Sequence, residues 1–231
     1  MSRRPKILGL ILARGGSRRV PGKNRKRFGG KPLVVWSIEA AQGVSGIIAT
    51  LVSTDDPVVA KVSRRQKALV PWLRPRRLAS ARASSGSAAL HALNWYEKKF
   101  GKVDGVMLFQ PTSPFRKKAS IRKAISLYKK NRYLPVISVL AAGSRKPIFF
   151  RQKNGLCKLL DKKVMASRPT PELFVPNGNL YLCSPQHLRL KKSFFGDQII
   201  ALPMASEKEN LDIDTQDDFS RGKLMLARSL R

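Results

Sequence analysis

Acidic side chains are scarce in this sequence. Fourteen Asp and Glu face 46 Lys and Arg, leaving a formal net charge of +32 on 231 residues. Nucleic-acid binding is the reflex inference from such an excess. The distribution argues against a dedicated binder. Cations run the whole length of the chain, aromatics make up only 7%, and no nucleic-acid motif is present. The pattern is that of a normal fold emptied of acids, whose surface would hold polyanions, nucleic acid included, without specificity. A catalytically silent basic polyanion binder is one class to carry forward. Other absences narrow the field. No run of eighteen apolar residues occurs, so no membrane span is expected. The opening Met-Ser-Arg-Arg-Pro-Lys leads into an apolar run with no small-residue cleavage site after it, so no signal peptide is read. The two cysteines, Cys157 and Cys183, fit no metal or redox spacing and suit buried free thiols in a reducing, cytoplasmic setting. His91 and His187 have no partner spacing, and neither a Ser-His-Asp arrangement nor a zinc pattern is found.

Scarcity makes the remaining acids informative. Six of the fourteen fall between Glu207 and Asp218, in "EKENLDIDTQDDF". Asp212 and Asp214 stand two apart in an extended stretch, where alternate residues point the same way. Both can face one point, as magnesium ligands would, with Ile213 turned to the core. Asp217 and Asp218 read better as the start of a helix. Asp55 and Asp56 read as a turn and a cap.

Apolar runs suggest strands at 7–13, 47–53, 104–109, 136–141, 178–183 and 198–202, alternating with helices at 32–43, 57–66, 84–99, 114–130 and 215–229. Asp56-Pro57 and Ser113-Pro114 each place a capping residue before a proline at the first helical position. Thr215 to Asp218 has capping-box spacing. Arg116, Lys117 and Lys118 then fall in a first helical turn, against the macrodipole. The alternation implies an α/β fold with a mostly parallel sheet covered on both faces, in one domain spanning 1–231. Residues 143–176 carry four prolines and break the rhythm, so they are expected to form an inserted arm outside the sheet.

"ILARGGSRRVPGKN", Ile11–Asn24, follows the first strand. It is not a P-loop, because Gly22-Lys23 is followed by Asn24 and the first glycine position holds Ser17. The dinucleotide fingerprint fails too, since Gly15 and Gly16 are adjacent. What remains is a glycine-rich basic loop at a strand carboxyl end, where open α/β sheets bind ligands. Its backbone N–H groups, with Arg14, Arg18, Arg19 and Lys23, suit an anion, and an ordinary surface turn is the other reading of the loop by itself. Ser53–Asp56 and Gln110–Ser113 leave neighbouring strands at the same end.

The ordered set "ARGGSRRVPGKN", "GGKPLVVWSIEAA", "VSTDDP", "LRPRRLAS", "FQPTSPFR", "VPNGNLYL" and "LDIDTQDDF" resembles the acylneuraminate cytidylyltransferase family (CMP-sialic acid synthetases), from residue 7 to about 220. The resemblance implies a Rossmann-like three-layer nucleotidyltransferase fold, a homodimer using the 143–176 arm, and a Mg2+-dependent transfer of the cytidylyl group of CTP to a nonulosonic acid. Sialic acid is the first expectation; legionaminic acid or another 2-keto-3-deoxy sugar acid is the alternative. Matched to the family's motifs, Arg14, Gly15, Gly16, Ser17, Lys23, Asn24 and Arg74 are candidate nucleotide contacts. Gln110, Thr112, Ser113, Lys146, Arg168, Asn177 and Tyr181 are candidate sugar contacts. Asp212 and Asp214 match the metal pair, and with Arg14 and Lys23 are the candidate catalytic residues. One departure stands out: where the family reads roughly "LASDTASS", this chain has "LASARASS", with Ala81 and Arg82.

Overall fold

A computed structural model describes residues 3–143, 148–152, 155–159 and 172–228. Its centre is an eight-stranded sheet. The strands are β1 (Ile7–Leu12), β4 (Ile47–Ser53), β5 (Gly105–Leu108), β6 (Val136–Ala141), β7 (Phe149–Arg151), β8 (Cys157–Leu159), β9 (Leu173–Cys183) and β10 (Gln198–Pro203), in the order β4-β1-β5-β9-β6-β10-β8-β7. β1 pairs in parallel with β4 and β5, and β10 with β6, while β9 runs antiparallel between β5 and β6. A small hairpin, β2 (Arg27–Phe28) and β3 (Lys31–Pro32), stands apart.

Helices α1 (Leu33–Ala41), α2 (Pro57–Arg65), α3 (Arg76–Ala79), α4 (Ser85–Phe100), α5 (Lys118–Lys130), α6 (Pro185–Lys191) and α7 (Gln216–Ala227) cover the sheet. The alternation of β1 sorts its side chains into two layers. Ile7 and Ile11 pack with Val34 and Ile38 of α1, Val59 of α2, and Ile121 and Tyr128 of α5. Leu8 and Leu10 pack on the other face with Ala89, Leu93 and Tyr96 of α4 and Leu188 of α6. A third cluster joins Phe28 of the hairpin, Leu33, Leu211, Ile213 and Phe219 of α7. Ile213 is fully buried there, as its position between two aspartates predicts. Both cysteines are buried and free. Among the described residues, no helix is long and apolar enough to cross a membrane.

Three expectations need correction. First, residues 143–176 do not lie outside the sheet where they are described. β7 pairs with β8 and with the start of β9, so that β9, β6, β10, β8 and β7 close a hydrogen-bonded ring. Strands of three residues are too short to show a period, and their partners are distant in sequence. Second, Ser113-Pro114 does not cap a helix. α5 begins at Lys118, with Lys117 as N-cap and no side-chain cap of its own. Glu209, from far along the chain, does that work: its carboxylate accepts from Lys117 N–H at 3.2 Å and from the Ser120 hydroxyl at 2.7 Å. Third, the sequence reading has no helix between the strands at 178–183 and 198–202, yet Ser184-Pro185 starts α6 there, with the Ser184 hydroxyl accepting from His187 N–H at 3.0 Å. The caps read at Asp56 and at Thr215–Asp218 form as expected.

Candidate active site

The carboxyl ends of β1, β4 and β5 open onto a cavity of about 510 Å3. Arg14, Ser17, Arg18, Arg19, Lys23 and Asn24 line it from the loop after β1, and Arg74, Gln110, Thr112 and Asp214 from elsewhere. Of the candidate residues, Gly15, Gly16, Ser113, Asn177, Tyr181 and Asp212 are not among the lining side chains. Lys146 and Arg168 lie outside the described residues. The opposite wall was missed in the sequence. It is Leu78 with Ser80, Ala81, Ala83, Ser84 and Ser85, and Ala88 of α4. Small side chains leave room there, a signal that spacing alone does not carry.

The phosphate-type loop is held by neutral contacts and acids. The Asn24 amide donates to the Arg14 carbonyl at 2.9 Å, and Asn24 is buried, so it pins the loop from beneath. Gly15 N–H donates to Asp55 Oδ1 at 2.9 Å. Asp55 thus tethers the loop, while Asp56 caps α2 by accepting from Val58 and Val59 N–H. Arg14 reaches across to the Ser80 carbonyl at 3.3 Å. Lys23, only 11% exposed, donates to the Ile213 carbonyl at 2.6 Å and to Asp214 Oδ1 at 3.2 Å. Arg19 pairs with Asp214 Oδ2 at 2.8 Å. Arg74 is buried and bound by its guanidinium to the Ser53 hydroxyl at 2.9 Å and to the Ser53 carbonyl. Burial lowers its pKa to about 10, Asp55 opposing and Arg14 adding to the shift, so it remains a cation near neutrality.

The two aspartates differ. Asp214 faces the cavity, 44% exposed. Asp212 sits behind it, and its Oδ1 is buried with no hydrogen-bond partner. Burial raises the Asp212 carboxyl above the ordinary aspartate range, and the charges of Asp214 and Asp218 add to this. The nearby Thr112 hydroxyl, which is not in hydrogen-bond geometry, and Lys23 oppose the rise. A buried, unpartnered carboxylate oxygen suits a cation, since the lost hydration is otherwise unrepaid. Among the described residues no group of three or more His, Cys, Asp or Glu converges. Two carboxylates fit a magnesium ion that takes its other ligands from phosphates and water.

Asn177 is buried and tied into the scaffold. β9 bulges opposite Ser138, placing Asn177–Leu180 between the pairs Val139↔Pro176 and Ile137↔Tyr181. The Asn177 side-chain oxygen accepts from the Ser138 hydroxyl at 2.6 Å and from Asn179 N–H at 3.1 Å, and its amide donates to Asn210 at 2.7 Å. Ser113 is buried too, its hydroxyl without a partner. Tyr181 is better placed. Burial pushes its phenol well up, with Asp212 adding to the rise, while Gly178 N–H and the Gln110 side chain oppose it by facing the oxygen. Phe194 and Phe195, absent from the candidate set, stand beside it with ring centroids 6.4 and 5.5 Å away.

A three-layer α/β fold with a cationic loop facing an aspartate pair across the strand ends defines a nucleotidyltransferase. The chain belongs to the cytidylyltransferase family, whose match spans residues 8–198. It is 32% identical to the CMP-N,N'-diacetyllegionaminic acid synthase of Legionella pneumophila, over 93% of this chain and 94% of that protein. It is 33% identical to the N-acylneuraminate cytidylyltransferase of Escherichia coli O18:K1:H7, over 94% of this chain but only 51% of that longer protein. A solved CMP:2-keto-3-deoxy-manno-octonic acid synthetase complexed with CTP shares the fold, with a TM-score of 0.75 at 16% identity, over 97% of this chain and 99% of that one.

Proposed function

We propose that this chain transfers the cytidylyl group of CTP to a nonulosonic acid of the sialic or legionaminic type, releasing pyrophosphate. The observation that carries the reading is the cavity itself: Arg14, Arg18, Arg19, Lys23 and Arg74 converge on it, with Asp214 the one acid among its lining residues. A triphosphate needs that many cations to offset its charge. Arg14, Ser17 and Lys23 bind the phosphates, and Asn24 and Asp55 hold the loop that presents them. A sugar hydroxyl oxygen attacks the α-phosphorus and gives up its proton to solvent, the bond from the α-phosphorus to the oxygen bridging it to the β-phosphate breaks, and the leaving pyrophosphate stays among the loop cations. Asp212 and Asp214 would hold Mg2+. When bound, it supplies charge neutralisation on the phosphates. Gln110 and Tyr181 face the sugar side. A homodimer is part of this reading, as are cytoplasmic location and weak, salt-sensitive retention of nucleic acid by the +32 surface.

The test is pyrophosphate release across the four nucleoside triphosphates, each with a panel of nonulosonic acids and 3-deoxy-manno-octulosonate. Release with CTP and a nine-carbon acid is expected, and the preferred acid separates the sialic from the legionaminic reading. No release with any pair, from a folded chain, would leave the basic polyanion binder.

A further inference from the structure

Arg116 is buried at 6% exposure, yet among the described residues none of its hydrogen bonds goes to a carboxylate. Its guanidinium donates to the Asn179 carbonyl at 2.9 and 2.6 Å, to the Gln110 carbonyl at 3.1 Å and to the Ser37 hydroxyl at 3.1 Å. It lies over the Phe109 ring, 5.1 Å from the centroid. Carbonyls could be bridged by a neutral donor, and burying a cation is costly. A permanent charge at this point therefore needs a reason.

The surroundings supply one. The charges nearest in effect are Glu209, which caps α5, and Asp212. Two of the three tethered groups lie on pieces that meet the Asp212 segment. Gln110 begins the loop whose Thr112 carbonyl accepts from Ile213 N–H at 2.8 Å. Asn179 lies in the β9 bulge, where Gly178 fits against Asp212: a Cβ there would lie 3.0 Å from Asp212 Oδ2 and 3.3 Å from the Ser113 hydroxyl. Ser37 of α1 braces the first of these, donating to the Gln110 carbonyl at 3.2 Å. Thr112 and Ser113 leave buried hydroxyls without partners in the same seam.

We propose that Arg116 is the positioning residue of the reaction centre: it ties the Gln110 loop to the β9 bulge and holds the Asp212 carboxylate in place with a fixed charge behind it. It touches neither phosphate nor sugar and acts through Asp212. The inference rests on the proposed cytidylyl transfer and its metal pair.

The test compares the parent chain with Arg116→Lys and Ser37→Ala. Arg116→Lys keeps the charge but loses the planar fork that bridges two carbonyls. Mn2+ binding in the presence of CTP is read by the electron paramagnetic resonance of free Mn2+, and CTP binding without metal by calorimetry. Residues that orient metal ligands are worth roughly 10- to 100-fold in metal affinity. Arg116→Lys is expected to lose Mn2+ affinity on that scale and to lose kcat, while metal-free CTP affinity stays parental because the loop cations are untouched. Ser37→Ala, which keeps the guanidinium, should show a smaller loss of the same two quantities. If Arg116→Lys does not fold, Ser37→Ala carries the test. Parental Mn2+ affinity in the folded variants, or equal losses of CTP and Mn2+ binding, would overturn the inference. Failure of the parent chain itself to bind Mn2+ with CTP would overturn the metal reading beneath it.

Discussion

Arg14, Arg18 and Arg19 stand around an open cavity, whereas Arg116 is shut inside a seam of carbonyls and hydroxyls. The two regions hold positive charge for different ends. At the cavity, cations are numerous and their one lining acid, Asp214, is shared between Arg19 and Lys23, so charge is left over for an anionic ligand. In the seam one cation satisfies neutral acceptors and leaves nothing over. Extra exposed charge binds; a single buried charge fixes geometry. A chain at +32 can therefore carry many cations that do neither, and the way to separate them is to remove them one at a time.

The largest effect is expected where the regions meet. Asp214→Asn keeps size and hydrogen-bonding capacity, and Asp214 N–H already donates to Asp218 at 3.0 Å, so the fold should hold. The change removes the exposed half of the carboxylate pair, and turnover should be abolished. Asp217→Asn, three residues on at the start of α7, should leave turnover near parental. Side-by-side assays at low and high magnesium, with circular dichroism as folding control, read the contrast. Comparable turnover in the two variants would erase the distinction between a site acid and a helix-start acid.

Within the cavity, Lys23→Ala removes a contact that the proposed function assigns to the phosphates. The expected loss is about 1.5–3 kcal/mol, or roughly 10- to 150-fold in kcat/KM for CTP. Lys123→Ala, on the exposed face of α5, removes the same formal charge far from the cavity and should change kcat/KM little, because salt screens it. Equal losses in both variants would mean that the overall field binds the nucleotide and that the loop is only a turn.

In the seam, Gly178→Ala tests geometry without touching charge. Gly178 has φ +80°, which strains any other residue by roughly 1–3 kcal/mol. The new methyl would also press on Asp212 and Ser113. A loss of kcat with KM for CTP unchanged is expected, alongside a modest fall in melting temperature. A variant that loses CTP binding but keeps kcat would place the seam in binding after all.

How much of this was legible before the structure follows the same division. The cavity loop is local in sequence, and strand, glycines and cations follow one another from Ile7 to Lys23, so composition and order place a basic loop at a strand end, and the family resemblance is what assigns it to phosphates. The seam is assembled from Ser37, Gln110, Arg116, Asn179 and Asp212, and no local rule joins them. Two identical dipeptides make the point. Ser184-Pro185 caps a helix, whereas Ser113-Pro114 does not, because Arg116 is drawn inward to Gln110 and Asn179 and the helix starts only once Glu209 can cap it. Propensity treats the two alike; tertiary contacts decide. The short strands β7 and β8 were illegible for a related reason, since each is held by partners rather than by its own pattern.

The smallest effect serves as the control, because it touches neither region. Glu97 of α4 is half-buried, accepts from Val103 N–H at 3.2 Å, and pairs with Arg189 of α6 and with Lys102 at 3.4 Å. Burial alone would push its carboxyl up, but the Arg189 hydrogen bond, the Val103 N–H and the two cations outweigh it and hold the group below the ordinary glutamate value of 4.5. A carboxyl depressed on folding stabilises the protein above its unfolded pKa, and that contribution is lost as pH falls through the lower folded value. Glu97→Gln should therefore melt a few degrees lower than the parent at pH 7, at about 2–4 °C for each kcal/mol lost in a chain of this size. The gap should narrow only below about pH 4.5, where the unfolded chain's carboxyl takes up a proton before the folded one does. At pH 7, CTP affinity and kcat should match the parent, since no lining residue is disturbed. A gap in melting temperature that stays constant into the acid range would show that Glu97 acts through packing alone. A fall in kcat at parental stability would show that α4 transmits to the cavity, and the separation of binding cations from positioning cations would then need a third term.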